Sequence, residues 1–192
     1  MIIVTGSGRS GSSMMMQTLR LWKYPLAGVP FHADFPVESL NPKGYWDLPF
    51  DTLLKGIDGR FSDMAVKVFG HWLCRVDSAC VNKMIVCKRR ENKTQDESLM
   101  NAFNEEVKVR TNSEARAAAL QTVPRMSDLR VIRNKNYREV RKFLKRNPHV
   151  ESITMIYEDI LENTEKELTK LAKFLGLEPT TMQEAIDNVD KK

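Results

Sequence analysis

Runs of apolar, β-branched residues alternate with amphipathic stretches along this chain. The strand-like runs occupy Met1–Thr5, Met64–Phe69, Lys83–Lys88 and Ser152–Tyr157. Continuous apolar runs of this length are typical of parallel strands that are covered on both faces. The alternation therefore predicts an α/β protein with three layers, α/β/α, around a central parallel sheet, in a single domain that spans residues 1–192.

The segments between these runs have the spacing of amphipathic helices. The last helix has the clearest ends, because Thr164 and Glu167 have the spacing of a capping box and Gly176 follows the final apolar position. A further short strand is predicted at Ala27–Val29. The other predicted helices start near Ser10 and cover Leu48–Lys55, Glu91–Glu106, Asn112–Val123 and a basic segment around Tyr137–Leu144.

A glycine-rich turn joins the first strand to the first helix. Gly6, Gly8 and Gly11 let the backbone turn tightly and bring its amides close to an anion, and the helix N-terminus adds partial positive charge. The nucleotide-triphosphatase pattern would place a lysine where Ser12 stands, whereas the cation here is Arg9, inside the turn. The segment predicts a fold like that of the P-loop nucleotide triphosphatases, with a loop for a phosphate or 5′-phosphosulfate. The alternative is a turn that only links strand to helix.

Composition narrows the classes of function. With 192 residues, of which 42% are hydrophobic, the chain can bury one sizeable core. No stretch approaches the roughly 20 apolar residues of a membrane span. The N-terminus also lacks the basic region of a secretory signal, so a cytoplasmic protein with no membrane partner is expected. The three cysteines form no C-x-x-C pair, and no metal is expected.

Positive charge is concentrated in Arg130–Arg146, where Glu139 is the only acid. One interpretation is a nucleic-acid-binding surface. The other is a solvated helix face, since Tyr137 and Val140 recur at helical spacing and the cations take the remaining positions. The second is favoured because no aromatic platform accompanies the charge, so no nucleic-acid partner is expected.

Four segments, in order along the chain, carry a family resemblance. They are Arg9–Ser13 (RSGSS), Asn41–Asp47 (NPKGYWD), Arg90 with Ser98 eight residues later, and Tyr157–Leu177 (YEDILENTEKELTKLAKFLGL). With these motifs the chain resembles the sulfotransferases that use 3′-phosphoadenosine-5′-phosphosulfate (PAPS), particularly short bacterial and phage-type members. The resemblance implies that PAPS is the donor, that PAP is the product and that no metal takes part.

The resemblance also implies how the donor is held. Amides and hydroxyls of Ser10–Ser13 would bind the 5′-phosphate, and Arg9 would neutralise the charge that develops as the sulfuryl group leaves. Arg90, with Arg89 as the rival, would bind the 3′-phosphate, and Met14 stands where many members carry a stacking tryptophan. The basic C-terminal segment of animal members has no counterpart in the acidic residues 178–192. The donor-binding residues implied are Gly8, Arg9, Ser10, Gly11, Ser12, Ser13, Met14, Arg90, Ser98 and Tyr157, the last near the adenine.

The general base is open among three residues. In animal members a K-T-H motif ends a central strand, and Lys67 matches its lysine while Phe69 stands at the histidine position. His71, two residues beyond, is one candidate base, and Asp47 and His32 are the others, His32 having Asp34 nearby. The predicted catalytic residues are thus Arg9, Lys67, His71 and Asp47.

These observations predict a sulfotransferase that acts on a hydroxyl or amine of a small-molecule, carbohydrate or peptide acceptor. One rival is a small P-loop nucleotide kinase or hydrolase, which the absence of the loop lysine disfavours. The other is a non-catalytic binding protein with a decayed loop site, which Met14 and the short C-terminal segment would allow.

Overall fold

A parallel sheet of four strands lies at the centre of the molecule, in the order β2-β1-β3-β4. The computed structural model describes residues 1–30, 46–109 and 124–177, and only the backbone of 106–109. Ile2 pairs with Ala65 and with Lys83, which in turn pairs with Glu151, so all four strands begin at one level and end at one edge. The strands are β1 (Ile2–Gly6), β2 (Ala65–Phe69), β3 (Lys83–Lys88) and β4 (Glu151–Ile156).

Helices follow the strands and cover the sheet. In the described parts, none of them is both long and apolar enough to cross a bilayer. Short 3₁₀ segments at Gly59–Phe61, Gly70–Arg75 and Ser78–Cys80 flank β2 and precede β3. The helices are α1 (Ser12–Leu21), α2 (Phe50–Lys55), α3 (Asn92–Val109), α4 (Met126–Arg146), α5 (Tyr157–Glu162) and α6 (Thr164–Leu175).

Two apolar clusters lie on opposite faces of the sheet. Successive side chains of a strand point to opposite faces; accordingly Ile3 packs in the cluster that contains Val140 of α4, and Val4 in the cluster that contains Met15 of α1 and Leu171 of α6. Both faces are therefore buried, which explains why the strands read as continuous apolar runs. The predicted fold class, three layers around a parallel sheet, is confirmed.

Several predicted boundaries were wrong near prolines and polar turns. Ala27–Val29 is not a strand: Leu26 and Val29 form only isolated bridges, with Ala65 and Asp47. The helix predicted at Leu48 begins after Pro49, which is its N-cap. The helix predicted for residues 112–123 lies outside the described residues.

The last two helices also differ from the prediction. Tyr157 begins α5 rather than ending β4. Thr164 is the first residue of α6 and not its cap, because its hydroxyl donates to the Ile160 carbonyl of α5 at 2.7 Å and Asn163 takes the cap position. Gly176 does end the helix, with a left-handed φ of 73°.

Candidate active site

The turn after β1 is held tightly at both ends. A Cβ at Gly6 would lie 2.4 Å from Ser10 Oγ and 2.7 Å from the Cys87 carbonyl, so only glycine fits at this position. Gly11, with φ 91°, is the N-cap of α1. Between them Arg9 has a φ of 60°, a left-handed conformation that a residue with a side chain rarely adopts.

Polar groups of this turn fit the binding of an anion. The Ser10 amide donates to the Ser7 carbonyl at 3.2 Å, which closes the turn. The first amides of α1, at Ser12 and Met14, have no backbone acceptor in the described part of the chain, as expected at a helix N-terminus. The buried hydroxyls of Ser7 and Ser10 likewise have no hydrogen-bond partner there. Unpartnered buried donors beside a helix N-terminus are what a phosphate group would satisfy.

Elements on either side hold the carbonyls of the turn. Gln95 of α3 donates to the Gly8 carbonyl at 2.8 Å. Arg89, just after β3, donates through Nε to the Arg9 carbonyl at 3.1 Å. The exposed Arg9 side chain donates to the Ser98 hydroxyl of α3 at 3.2 Å. The structure thus brings together Arg9 and Ser98, two of the predicted site residues.

Arg89 and Arg90 differ in their surroundings. The side chain of Arg89 is 14% exposed; it pairs with Glu158 at 3.0 Å and its guanidinium carbon lies 4.1 Å from the centre of the Tyr157 ring. Arg90 is 48% exposed and pairs with Asp159 and Glu162, each at 2.7 Å, which raises its pKa above the usual range. The structure therefore joins Arg90 to α5, while its predicted partner Ser98 bonds to Arg9.

Tyr157 lies against Gly11, the N-cap of α1. A Cβ at Gly11 would lie 2.9 Å from Tyr157 Cδ2 and 3.7 Å from Met14 Cε, so both side chains border the turn. The predicted place of Tyr157 near the adenine, and of Met14 at the position of the stacking tryptophan, stays a prediction. The guanidinium of Arg89 lies over the Tyr157 ring and covers one of its two faces.

A buried lysine connects β2 to the turn. Lys67 Nζ lies 3.0 Å from Ser13 Oγ and 2.9 Å from Asp47 Oδ1, and the lysine side chain is only 3% exposed. Burial lowers the pKa of Lys67, and the charge of Asp47 acts in the opposite direction. Three predicted residues, Ser13, Lys67 and Asp47, thus form one chain of contacts at the carboxyl edge of the sheet.

His71 lies in the 3₁₀ segment that follows β2. Its ring stacks on Phe69 with centroids 6.3 Å apart, and both its backbone amide and its Nδ1 lie 2.9 Å from Asn136 Oδ1 of α4. An amide oxygen can only accept, so Nδ1 carries the proton and Nε2 is the proton acceptor of the neutral ring. Gly70 makes this approach possible, since a Cβ there would lie 2.1 Å from the Asn136 carbonyl oxygen. His32 and Asp34 lie outside the described residues.

Sequence patterns missed the polar residues that fix α3 and α4. Arg133 and Asp96 form an ion pair with both side chains at least 93% buried, and Arg133 also donates to the Asn92 carbonyl at 3.1 Å. Tyr137 donates to the Cys87 carbonyl at 3.1 Å, and burial raises its pKa to about 12. Arg133 was hidden within the basic run, which predicted a solvated face. A signal was present: it is four residues before Tyr137 and so on the same face of the helix.

No group of three or more His, Cys, Asp or Glu residues that could hold a metal occurs in the segments 1–30, 46–109 and 124–177. That no metal takes part in the reaction stays a prediction.

Comparisons with known proteins bear on the fold and the family of this chain. Curated proteins give no match. Among solved structures, the chain is similar to the crystal structure of retinol dehydratase in complex with androsterone and the inactive cofactor PAP, with a TM-score of 0.51 and 14% identity. The alignment covers 98% of this chain and 64% of that one, so this chain spans less than two thirds of its length. At this identity the likeness shows the fold alone.

A family model supplies the stronger finding. The model described as the sulfotransferase domain matches residues 77–192, which is more than half of the 192 residues. The matched range contains Arg89, Arg90, Ser98 and Tyr157 and begins after the turn that follows β1. The chain belongs to the sulfotransferase-domain family.

Proposed function

We propose that this protein transfers a sulfuryl group from PAPS to a hydroxyl or amine of an acceptor molecule. The observation that carries the proposal is the contact chain from the turn to a carboxylate: Ser13 to Lys67 to Asp47. In it an ammonium group and a carboxylate lie near the start of α1, where the Ser12 and Met14 amides have no backbone acceptor in the described part of the chain. Family membership and the PAP bound to retinol dehydratase support the choice of donor.

On the donor side, the chain supplies amides, hydroxyls and one exposed cation. Ser10, Ser12 and Ser13 would hold the 5′-phosphate, with the helix N-terminus adding partial positive charge. Arg9 is exposed, and among the described residues its side chain contacts the neutral hydroxyl of Ser98, so we expect its guanidinium to turn readily to a bound phosphosulfate. When bound, PAPS supplies an activated sulfuryl group on a phosphate leaving group.

On the acceptor side, Asp47 is the proposed base and Lys67 its partner. Asp47 accepts the proton of the acceptor hydroxyl or amine as that oxygen or nitrogen bonds to sulfur. The bond between sulfur and the phosphate oxygen breaks in the same step, and Arg9 offsets the negative charge left on that oxygen. Lys67 is buried and fixed on both sides, so it orients Asp47 and approaches the reacting group from the Ser13 side.

Binding measurements can separate this proposal from a kinase or hydrolase. Adenosine 3′,5′-bisphosphate should raise the melting temperature without magnesium, by preferential binding to the folded state, and ATP should do so weakly. A nucleotide kinase would show the reverse preference and would need magnesium. A response to neither nucleotide would indicate a decayed site and contradict the proposal.

Transfer itself is tested with labelled donor. PAPS carrying labelled sulfate is incubated with panels of alcohols, carbohydrates, tyrosine peptides and amines, and transfer is compared with Arg9→Ala. Label in an acceptor that depends on Arg9 supports the proposal. Binding of the bisphosphate without transfer to any panel member, and without release of sulfate to water, contradicts the proposed activity while leaving the binding site intact.

A further inference from the structure

We propose that Arg89 is a positioning residue for sulfuryl transfer, acting through the backbone of Arg9. The proposal rests on the proposed function, because Arg9 is the residue assigned to offset the leaving-group charge. Arg89 follows β3 directly and is largely buried, with 14% of its side chain exposed. Of the two adjacent arginines, it alone contacts the turn in the described structure.

The guanidinium of Arg89 uses three separate surfaces. Its Nε donates to the Arg9 carbonyl at 3.1 Å, and one terminal nitrogen donates to Glu158 Oε1 at 3.0 Å. Its central carbon lies over the Tyr157 ring, 4.1 Å from the centroid. A planar fork with this many fixed contacts has little rotational freedom left, so it holds the carbonyl in one place.

Glu158 is itself fixed, which completes the support. Its second oxygen accepts the Arg90 amide at 2.7 Å, so the carboxylate connects the backbone after β3 to the start of α5. Burial raises the pKa of Glu158, but hydrogen bonds from the Arg90 amide and the Arg89 side chain outweigh it and lower the pKa overall. The carboxylate therefore stays charged and keeps hold of Arg89.

The backbone of Arg9, which Arg89 holds, is in an unfavourable conformation. Arg9 has a φ of 60°, a left-handed conformation that is unfavourable for a residue with a Cβ. In a trans peptide the carbonyl and the following amide point in opposite directions. With the Arg9 carbonyl bonded to Arg89, the Ser10 amide is directed back into the turn, where it donates to the Ser7 carbonyl. Arg89 thus fixes both the peptide plane of the turn and the direction from which the Arg9 side chain starts.

A lysine at position 89 would not replace this arginine. Its single ammonium group has no Nε to reach the Arg9 carbonyl while another nitrogen bonds Glu158, and it has no plane to stack on Tyr157. Arg89→Lys therefore keeps the positive charge but loses the simultaneous contacts with the Arg9 carbonyl, Glu158 and Tyr157. It should behave like Arg89→Ala in rate and resemble the unsubstituted protein in stability.

The test is a double-mutant cycle between Arg9 and Arg89. Release of labelled sulfate from PAPS to water, which needs no known acceptor, is measured for the unsubstituted protein, Arg9→Ala, Arg89→Ala, Arg89→Lys and the double variants. Misplacement of a reacting group by about 1 Å can cost on the order of 10²-fold, so we expect Arg89→Ala and Arg89→Lys each to lose about that factor in rate. In the Arg9→Ala background the same changes should cost clearly less, about tenfold, because the backbone carbonyl of residue 9 remains to be held while no guanidinium is left for the turn to direct.

The matched control is Arg138→Ala, which removes an exposed arginine paired only with Glu139 at 3.5 Å in the described contacts. It should leave the rate unchanged in both backgrounds. Hydrogen exchange without nucleotide gives a second measurement: residues 7–13 should exchange faster in Arg89→Lys than in Arg138→Ala. If Arg89→Ala fails to fold, the cycle is completed with Arg89→Lys.

Each result separates this inference from the proposed function. Equal loss in both backgrounds, no loss in either, or unchanged exchange of residues 7–13 would overturn the role of Arg89 while leaving the sulfotransferase proposal standing. An unsubstituted protein that neither binds adenosine 3′,5′-bisphosphate nor releases sulfate would overturn the proposed function and this inference with it. A loss of rate from the Arg89 substitutions that is smaller in the Arg9→Ala background, together with faster exchange of residues 7–13, supports the assignment.

Discussion

The two sides of the candidate site hold their cations in opposite ways. On the donor side, Arg9 is exposed and its side chain contacts the neutral hydroxyl of Ser98. On the acceptor side, Lys67 is 3% exposed and lies between the Asp47 carboxylate and the Ser13 hydroxyl. One cation can change partners when a ligand arrives, while the other is part of the folded structure.

This difference indicates how the work is divided between them. Moving an exposed guanidinium from a hydroxyl to a phosphosulfate exchanges one solvated contact for a charged one, so Arg9 can act mainly in the reaction. Moving Lys67 would leave a buried charge without its carboxylate, which is expensive. Substitutions on the donor side should therefore change rate and ligand binding, and those on the acceptor side should change stability as well.

Arg9→Ala should have the largest effect on the rate of sulfate transfer, and it tests the difference between the two cations most directly. Loss of the cation that offsets leaving-group charge should lower the rate of sulfate transfer on the order of 10³-fold. The melting temperature should stay within a few degrees, because the side chain is exposed. Labelled-sulfate assays and thermal unfolding of the same preparation check both; a large fall in melting temperature would break the division proposed.

Asp47→Asn should come next, with a rate lower by about 10²-fold, the lower end of what a positioned general base contributes. Asparagine keeps the size and one oxygen but cannot take a proton. His71→Asn is the matched variant, and it should cost less than about tenfold if Asp47 is the base. The opposite order of effects would assign proton removal to His71, whose Nε2 is the acceptor nitrogen when Asn136 accepts from Nδ1.

The stability of Asp47→Asn should depend on pH in a definite direction. Removing the carboxylate should cost about 2 kcal/mol at pH 7, the scale of a charged hydrogen bond. Burial already lowers the pKa of Lys67 in the folded state, and losing Asp47 lowers it further. A folded pKa below the unfolded one contributes stability that is present above the unfolded value, near 10.4, and lost as pH falls. The difference between variant and unsubstituted protein should therefore shrink from pH 7 to pH 10 in chemical denaturation; a constant difference would contradict it.

Arg90→Ala should have the smallest effect and tests the predicted grip on the 3′-phosphate. Its ion pairs with Asp159 and Glu162 are exposed, and such pairs contribute about 0–1 kcal/mol, so stability should hardly change. If Arg90 leaves α5 to bind the nucleotide, the preference for adenosine 3′,5′-bisphosphate over adenosine 5′-monophosphate should fall about tenfold. Calorimetric titration of both nucleotides measures it, and an unchanged preference would reject that role.

The fold was largely predictable because buried parallel strands leave a direct signal. The apolar runs at β1, β2 and β3 were located to within one residue, since both faces of each strand are covered. Errors occurred where a local signal competed with a contact from elsewhere. Thr164 has the pattern of a cap, yet its hydroxyl bonds to Ile160 across the turn from α5.

The site was predictable where a motif carries its own chemistry. The turn around Arg9 was named from residue type and order. Lys67 was named through the family resemblance and Asp47 as one of three candidate bases, and their contact was not predicted. Residues that act by holding others were not, because their partners are far away in sequence: Gln95 reaches Gly8, and Asn136 reaches His71. Arg89 entered only as a rival for phosphate binding, and its contact with the Arg9 carbonyl required coordinates.

The close approach at Gly70 has a practical consequence for engineering this chain. A methyl group at this position would collide with the Asn136 backbone, so either α4 or the segment that carries Gly70 would have to move away. Such a shift would separate His71 from its amide partner and open a crevice along the apolar layer beneath the helix. Gly70 therefore lets the chain pass close to α4 because it has no side chain. Libraries aimed at new acceptors should vary the neighbouring positions and keep this glycine.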